Sequence, residues 1–541
     1  MKKTVALVLL LYFYYFTAYG QQKPTWDDTS QKTWNPAFEK VEIPSTKDGK
    51  IQYAYMYKSS SKRPQPLIVS LHTWSGSYNQ ADPLTKEIMA RDWNYIHPDF
   101  RGANRTSQAM VSEWALSDIE DAIQYALKHT HADPEDVHVI GVSGGGLATL
   151  AAYMNLDYPV KSFSAWAPIS DIEAWYWESV GRKQKYANDI LKAIPDKEGK
   201  LCTQEAVHRS PLYQVFPIEK RKNAHLYIYE GVHDGYTGSV PITHSLNMYN
   251  RLVGELKYKT SDMGCIMQQA FQDSDLVSPE EIISLVAKRI NPHYKENAKL
   301  FDRHVHLYRK YRNISLTLFE GRHEQIPQAL GLLPCKQIVT DSKYSILVIG
   351  DSNAEKKGGW VDQMRKMMPK ASIVNLSESG RTIGFDNNGK SHLNALKNID
   401  SFLNKAQAEK KRYDYVIVCL GTNDTKKVFC QKQQEIPQNL CSLLAKIKQH
   451  KLCKGNKTQF IYVTPPPIRE EGVSAKYQGS GKRLMHLIPE LKNAALSQGF
   501  DIVDIHTPLI GILDYYAEDG VHMVEDGQEI IASRIVQSIS Q

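Results

Sequence analysis

Two runs of apolar, β-prone residues each lead into a short segment that contains a glycine and a serine, and this arrangement constrains the fold more than any other feature. Residues 137–142 lead into Ser143, and residues 344–349 lead into a second turn that holds Ser352. A buried strand followed by a tight turn and a helix is typical of open α/β sheets, in which such turns present side chains at the carboxyl edge. The chain therefore contains two potential sites of nucleophilic chemistry.

Segments with strand character alternate with helical segments in both halves of the chain. Strands are predicted at residues 66–71, 94–97, 137–142, 163–167, 225–229 and 315–319, with helices at 118–129 and 147–155. The pattern restarts with strands at residues 344–349, 372–375, 415–420, 459–463 and 501–503, and it ends with a helix around 527–539. Such alternation predicts parallel sheets that are covered by helices on both faces.

The length of 541 residues is too great for one ordinary core. Because the strand pattern restarts after a short polar stretch, we predict an α/β domain over residues 38–333, a linker over 334–343 and a second α/β domain over 344–541. The composition, with 42% hydrophobic and 23% charged residues, is that of a globular protein. The net charge of +7 comes from scattered basic residues, so no nucleic-acid partner is expected.

The N-terminal residues predict export. Lys2 and Lys3 precede an apolar stretch over residues 5–16, and the small residues Ala18 and Gly20 follow, as in a signal-peptidase site. We expect a signal peptide over residues 1–20, an irregular segment over 21–37, and a periplasmic or secreted protein. The apolar stretch is shorter than the about 20 residues of a membrane span, so no span is expected after cleavage. A retained anchor is the alternative.

The residues around Ser143 have the pattern Gly-x-Ser-x-Gly between a strand and a helix, which is the context of a nucleophile elbow. The N-terminus of the following helix offers backbone N–H groups, and we predict the Gly144 N–H as one oxyanion donor. The loop after strand 66–71 is predicted to supply the other donor, from Thr73 or Trp74.

An acid and a base are expected after later strands. Asp234 follows strand 225–229 and His323 follows strand 315–319. A charged segment around residues 257–303 separates the two, so Asp171 is kept as the alternative acid. Three tryptophans, Trp166, Trp175 and Trp177, follow a strand on the expected catalytic side. They are either core residues or an aromatic wall for a sugar ring or a phenolic acyl group.

The segments GVSGGG, GVHDGYTGSVP and FEGRHE, together with Phe100-Arg101-Gly102, resemble the α/β-hydrolase superfamily over residues 38–333. The likeness is greatest to its prolyl-oligopeptidase-like branch and to related carbohydrate esterases. It implies that Ser143 is the nucleophile, His323 the general base and Asp234 the acid that orients the base.

Four ordered blocks in the second half resemble the SGNH, or GDSL-like, hydrolases over residues 344–541. They are GDSN with Ser352, NLSESGRT with Gly380, LGTND with Asn423, and DGVH with Asp519 and His522. The likeness implies a three-layer α/β/α, flavodoxin-like domain. It also implies attack by Ser352 with His522 as base and Asp519 as orienting acid, and an oxyanion bound by the N–H groups of Ser352 and Gly380 and by the Asn423 amide.

An exported chain with two serine sites resembles a bifunctional carbohydrate esterase, so an acylated glycan is the expected substrate. The second half is expected to remove acetyl groups, and the first half acetyl or feruloyl groups. No metal and no cofactor is expected, because serine hydrolase sites of both kinds need neither, and the seven cysteines show no spacing suited to zinc. Two alternatives stay open. The first half could be an S9-like peptidase, although only a short segment stands where such peptidases carry a β-propeller. Alternatively, one half could be a catalytically silent glycan-binding module.

Overall fold

A computed structural model describes residues 29–291, 294–295, 297–453 and 457–539. The predicted signal peptide over residues 1–20 lies outside the described residues. Residues 29–37 contain no helix or strand, but Trp34 stacks on Tyr55 with 4.2 Å between the ring centroids. Within the described part of the chain, no helix is both long enough and apolar enough to cross a membrane.

The first half of the described chain forms one sheet with the strand order β1-β2-β4-β3-β5-β6-β7-β10-β9-β8. Its strands are β1 (Glu39–Pro44), β2 (Ile51–Tyr57), β3 (Gln65–Leu71), β4 (Asn94–Pro98), β5 (Ala132–Val142), β6 (Ser162–Trp166), β7 (His225–Gly231), β8 (Lys299–Leu300), β9 (Arg303–Tyr311) and β10 (Ile314–Phe319). Its helices are α1 (Thr85–Arg91), α2 (Glu113–His129), α3 (Gly144–Asn155), α4 (Ile172–Gly181), α5 (Tyr186–Ala193), α6 (Thr203–Arg209), α7 (Ile218–Arg221), α8 (Thr243–Tyr258), α9 (Met263–Gln269) and α10 (Pro279–Lys288). Short 3₁₀ turns lie at Pro211–Tyr213 and Ala329–Leu332.

The centre of this sheet is parallel and its edges are antiparallel. Strands β4, β3, β5, β6, β7 and β10 run parallel, whereas β1 and β2 at one edge and β9 and β8 at the other pair antiparallel. The central strands were predicted because burial on both faces gives them continuous apolar runs. The edge strands were not predicted, because β9 alternates apolar with charged residues and lies next to the charged segment.

Helices cover both faces of the central strands. In β5, Val137 and Val139 pack into one hydrophobic core, whereas Ile140 and Val142 pack into another on the opposite face. Successive side chains of a strand point to opposite faces, so two separate cores require a covering layer on each side. The predicted layered α/β architecture is therefore confirmed for this half.

The second half of the described chain forms a wholly parallel sheet with the order β12-β11-β13-β14-β15. Its strands are β11 (Ser345–Gly350), β12 (Ser372–Asn375), β13 (Tyr415–Cys419), β14 (Gln459–Val463) and β15 (Asp501–Val503). Its helices are α11 (Ser352–Glu355), α12 (Trp360–Met367), α13 (Ala395–Glu409), α14 (Ile436–Gln449), α15 (Ser480–Ser497), α16 (His506–Leu509), α17 (Leu513–Tyr516) and α18 (Glu525–Ile539), with 3₁₀ turns at Ser391–Leu393, Asn423–Thr425, Lys427–Glu435, Ala475–Tyr477 and Ile510–Ile512. This strand order is the flavodoxin-like one, as predicted.

The two halves are joined by residues 333–344, a described stretch without helix or strand. They also pack through a buried polar contact. Glu87 of α1 accepts hydrogen bonds from Arg91, at 2.8 Å, and from the Tyr516 hydroxyl of α17. On α18, Arg534 donates to the carbonyl oxygens of Met89 and Ala90, each at 3.1 Å. The predicted domains are therefore in direct contact beyond the connecting segment.

Candidate active sites

Ser143 occupies a strained turn between β5 and α3. Its backbone has φ +60° and ψ −119°, a region that non-glycine residues rarely adopt and that the surrounding structure must impose. The Ser143 N–H donates to the Trp166 carbonyl of the neighbouring strand at 2.9 Å, which holds the turn in place. The side chain is nearly buried, with 2% of its residue surface exposed. This is the geometry expected of a nucleophile elbow.

The glycines beside Ser143 allow a second loop to approach the turn. A Cβ atom at Gly144 would overlap the backbone nitrogen of Trp74, and one at Gly145 would overlap the carbonyl oxygen of Leu71. The Trp74 N–H therefore lies against Gly144, next to the nucleophile. The Thr73 N–H instead donates to the buried Gln80 side chain at 3.3 Å. Of the two predicted loop donors, Trp74 is better placed.

Asp234 and His323 meet at the edge of the sheet where Ser143 also lies. Ser143 follows β5, Asp234 follows β7 and His323 follows β10, and these parallel strands end at a common edge. Nδ1 of His323 is 2.5 Å from Oδ2 of Asp234. The fully buried Asp234 also accepts from the N–H groups of Gly235, at 2.7 Å, and Val240, at 3.1 Å, through Oδ1. A carboxylate held in this way can orient an imidazole, so Asp234 suits the predicted role of acid.

The alternative acid, Asp171, is engaged elsewhere. It caps the N-terminus of α4 by accepting from the Ala174 N–H at 3.0 Å, and it accepts from the Tyr213 hydroxyl at 2.7 Å. The helix cap and the hydrogen bond from Tyr213 together explain an aspartate at this position without any catalytic role. The geometry thus favours Asp234 over Asp171.

Glu230, near the end of β7, is a buried neighbour of Asp234 that no sequence motif indicated. It is fully buried and accepts from the Ser245 hydroxyl at 2.7 Å. Burial, and then the neighbouring Asp234, raise the pKa of Glu230 well above its usual value. A protonated Glu230 beside Asp234 avoids a second buried negative charge. The signal in the sequence was a carboxyl residue inside the apolar run YIYEG.

Of the three predicted tryptophans, two are core residues. Trp166 is fully buried and stacks on Tyr229 with centroids 4.1 Å apart, and Trp175 is fully buried and packs edge-on against Trp74 at 4.6 Å. Large aromatic side chains at these positions fill the core. The prediction that Trp166 and Trp175 form an aromatic wall for the substrate is therefore wrong. Trp177 is 59% exposed on α4 and stays available to a substrate.

Arg182 attaches helix α4 to the loop that carries Asp234. Its guanidinium donates to the carbonyl oxygens of Gly235, at 3.1 Å, and Ser239, at 2.9 Å. Helix α4, which carries Trp177, is thereby fixed to the loop of Asp234.

The second candidate site has a continuous chain of hydrogen bonds. Oγ of Ser352 is 2.9 Å from Nε2 of His522, and Nδ1 of His522 is 2.6 Å from Oδ2 of Asp519. The other oxygen of Asp519 accepts from the N–H groups of Val521, at 2.9 Å, and His522, at 2.7 Å. Partial burial alone would raise the pKa of Asp519, but the hydrogen bonds from His522 hold it below its usual value. A serine, a base and an ionised acid in this order suit nucleophilic attack.

Asn353, next to Ser352, holds the histidine loop against the nucleophile. Its side chain accepts from Gln528 at 2.8 Å and from the Met523 N–H at 3.3 Å, and it donates to the Val521 carbonyl at 3.4 Å. This buried amide ties the start of α11 to the loop of His522. The motif GDSN by itself indicates no role for Asn353, because its partners lie about 170 residues later in the chain.

The predicted oxyanion groups of this site lie on two neighbouring loops. Gly380 has φ +86°, and its carbonyl accepts from Asn387 at 2.6 Å. The Asn423 amide nitrogen donates to the Arg381 carbonyl at 3.1 Å. The carboxylate of Asp424 accepts from the Ile383 N–H at 2.9 Å. The loop of Gly380 is therefore anchored to the residues that follow β13.

Three buried ionisable groups surround these loops. Burial raises the pKa of Asp424 to about 7 and lowers that of Lys426 to about 8. Burial also raises the pKa of Asp351, whose carboxylate accepts from the Asn353 N–H at 3.1 Å, as in a local cap. Such shifts accompany functional sites and structural ion networks alike. The catalytic roles of the residues in both sites stay predictions.

Two family models match the chain, one in each half. The prolyl oligopeptidase family matches residues 81–273, and the GDSL-like lipase/acylhydrolase family matches residues 348–530. No curated protein sequence matches the chain. Each match covers the predicted nucleophile of its half, Ser143 or Ser352.

Solved structures of both kinds are similar to parts of the chain. Est24, a carbohydrate acetylesterase from Sinorhizobium meliloti, has 21% identity and a TM-score of 0.31, with coverage of 37% of this chain and 99% of its own. An aryl esterase of M. smegmatis has 19% identity and a TM-score of 0.30, covering 36% and 98%. The acylaminoacyl peptidase of Pyrococcus horikoshii has 21% identity and a TM-score of 0.33, covering 39% of this chain and 34% of its own.

The two family matches agree with the two sheets and with the resemblance drawn from the motifs. The chain is a tandem of an α/β-hydrolase domain of the prolyl oligopeptidase family and a GDSL-like hydrolase domain.

Proposed function

We propose that the protein is an exported bifunctional serine esterase that removes O-acyl groups from glycans, with one site in each domain. The observation that carries the proposal is the hydrogen-bonded chain Ser352–His522–Asp519, at 2.9 and 2.6 Å. Nε2 of His522 is within reach of the serine proton, which is the requirement for a general base.

In the second domain, Ser352 attacks the acyl carbon of an ester while His522 takes its proton. The imidazolium that forms is stabilised by Asp519, and the oxyanion is bound by the Gly380 N–H and the Asn423 amide. His522 then returns the proton to the leaving sugar oxygen, and water hydrolyses the acyl-enzyme by the same route. Removal of one such oxyanion donor typically lowers kcat about 10²–10³-fold.

In the first domain, His323 and Asp234 are proposed to activate Ser143 in the same manner. The Gly144 and Trp74 N–H groups are proposed to hold the oxyanion. Trp177, which is 59% exposed on α4, supports an acyl group or sugar ring that stacks on an aromatic surface.

The glycan as substrate is supported by the combination of features in the chain. The N-terminal residues predict export, and two serine sites in one chain suit a substrate with more than one kind of ester. Acetyl is proposed for the second site, and acetyl or feruloyl for the first.

A second candidate function is that the first domain is a peptidase, and the match to the prolyl oligopeptidase family over residues 81–273 favours it. The same Ser143, His323 and Asp234 would then cleave an amide. The two candidates differ only in the bond that the first domain attacks.

Single-site variants of the full chain distinguish these functions. We expect Ser352→Ala to abolish the acetate release from acetylated xylo-oligosaccharides that a Ser143→Ala protein retains, and Ser143→Ala to abolish a second activity measured on feruloylated oligosaccharides and on aminoacyl nitroanilides. Each variant serves as the control for the other. Loss of both activities in either variant would contradict two independent sites, and cleavage of the nitroanilides alone would make the first domain a peptidase.

A further inference from the structure

Tyr477 is a buried residue that neither the motif nor the proposed mechanism uses, although it touches the predicted oxyanion group. It lies in the 3₁₀ turn Ala475–Tyr477 before α15, and only 4% of its surface is exposed. Its hydroxyl donates to Oδ1 of Asn423 at 2.9 Å. This is a contact between residues 54 positions apart in the chain.

The two partners of Asn423 determine which way its amide faces. The amide nitrogen donates to the Arg381 carbonyl at 3.1 Å, whereas the amide oxygen accepts from Tyr477 at 2.9 Å. A flipped amide would place its oxygen against the Arg381 carbonyl, and two acceptors repel each other. An amide nitrogen carries two hydrogens. With one bound to Arg381, the second is left to bind an oxyanion.

The Tyr477 ring is itself held firmly. It packs in a small hydrophobic cluster with Leu484, Ile488 and Val521, and Val521 precedes His522 in the chain. The side-chain nitrogen of Lys426 lies 5.3 Å from the ring centre. Burial raises the pKa of the phenol above its usual value, so the hydroxyl keeps its proton and stays a donor. One side chain thus contacts both the amide and the loop of the base.

We propose that Tyr477 is a positioning residue of the second site, which locks the Asn423 amide with one N–H directed at the oxyanion. This inference rests on the proposed function of Ser352. Tyr477 does not touch the reacting atoms in this account. It acts by restricting Asn423 to the productive orientation before the substrate arrives, which is the preorganisation that makes such donors effective.

Tyr477→Phe tests this proposal, because it removes the hydroxyl and keeps the ring in its cluster. We expect kcat for acetyl-ester hydrolysis to fall about 10- to 100-fold, because the Asn423 amide stays in the site but is no longer held in the productive orientation. KM should change less than about two-fold, because the oxyanion forms only in the transition state. The Ser143 activity of the same protein is an internal control for folding.

Tyr413→Phe is the matched control. Its hydroxyl donates to the Ala406 carbonyl at 2.8 Å, and its ring is as deeply buried in the same domain. The control should lose a similar amount of stability in urea while its kcat stays within about two-fold of the wild type. A control that loses as much kcat as Tyr477→Phe would overturn the proposal.

A double-mutant cycle separates positioning from a general structural effect. Asn423→Ala should lower kcat about 10²–10³-fold, and Tyr477→Phe added to it should change kcat less than about two-fold, because no amide remains to be oriented. An equal loss in both backgrounds would overturn the positioning role. If Ser352→Ala leaves ester hydrolysis unchanged, the proposed function fails and this inference fails with it. If Ser352→Ala abolishes hydrolysis and Tyr477→Phe has no effect, only this inference fails.

Discussion

The acid of the first site gives the sharpest prediction, because the structure determines how an amide must sit at position 234. In the wild type, the N–H groups of Gly235 and Val240 lie 2.7 and 3.1 Å from Oδ1 of Asp234. In Asp234→Asn, the amide oxygen takes this position and accepts from the same two donors. The amide nitrogen then faces Nδ1 of His323. Since that nitrogen only donates, Nδ1 must accept, and the imidazole proton moves to Nε2.

An imidazole with its proton on Nε2 cannot accept the proton of Ser143. The reverse orientation of the amide would place its nitrogen against two N–H donors, at a cost of about 1–3 kcal/mol for each lost hydrogen bond. A change to the wrong tautomer lowers kcat about 10⁴-fold in Ser-His-Asp proteases. We expect a loss of that order here, which is about 5 kcal/mol of activation free energy.

The assay is ester hydrolysis by the full chain in a Ser352→Ala background, so that only the first site reports. Asp171→Asn is the matched control. Asparagine also caps helix N-termini, so this variant should keep kcat within about three-fold of the background. Retention of more than about a tenth of the activity by Asp234→Asn, or an equal loss in Asp171→Asn, would refute the assignment of the acid.

Three further predictions address the two sites and the fold. A fluorophosphonate probe should label two peptides, one with Ser143 and one with Ser352, and a single labelled peptide would indicate a silent domain. Folding raises the pKa of Asp424 from 3.8 to about 7. The protonated side chain therefore contributes about 4 kcal/mol to the free energy of unfolding at low pH, and this contribution is lost as the pH rises through 7. Asp424→Asn should remove this slope between pH 4 and 7 in urea unfolding, and unchanged slopes would contradict it. Tyr516→Phe removes a buried hydrogen bond to Glu87 between the domains, so we expect the free energy of unfolding to fall by about 1–2 kcal/mol while the kcat of each site stays unchanged. Tyr515 is partly exposed, so Tyr515→Phe should lower the free energy of unfolding by less. Equal losses in the two variants would contradict the domain contact.

The central strands of both sheets were predictable, since strands covered on both faces are continuously apolar. Three strands of the second sheet have the predicted bounds, at Ser372–Asn375, Gln459–Val463 and Asp501–Val503. The antiparallel strands at the edges of the first sheet were not predicted. These strands mix polar or charged residues with apolar ones, so they lack the continuous apolar run by which the central strands were predicted.

The residues of the candidate sites also fall into a predictable group and a group that the sequence left open. Ser143, Ser352, Asp519 and His522 stand in short motifs, so their types and spacing indicate nucleophilic chemistry without knowledge of the fold. Trp166 and Trp175 stand in no motif, and their burial in the core was one of two open readings. An aromatic residue serves a core and a sugar surface equally well, and only packing separates the two.

The sequence alone determined that this chain has two α/β domains with parallel central strands, each with a serine at the turn after a buried strand, because strand periodicity and glycine turns are local properties. Tertiary structure decided which carboxylate reaches His323. Asp171 and Asp234 both follow strands that end at the same edge, but Asp171 caps α4, whereas Asp234 lies 2.5 Å from Nδ1 of His323. Tertiary structure also brought Tyr477 to the Asn423 amide, because a contact across 54 residues depends on packing and leaves no local pattern.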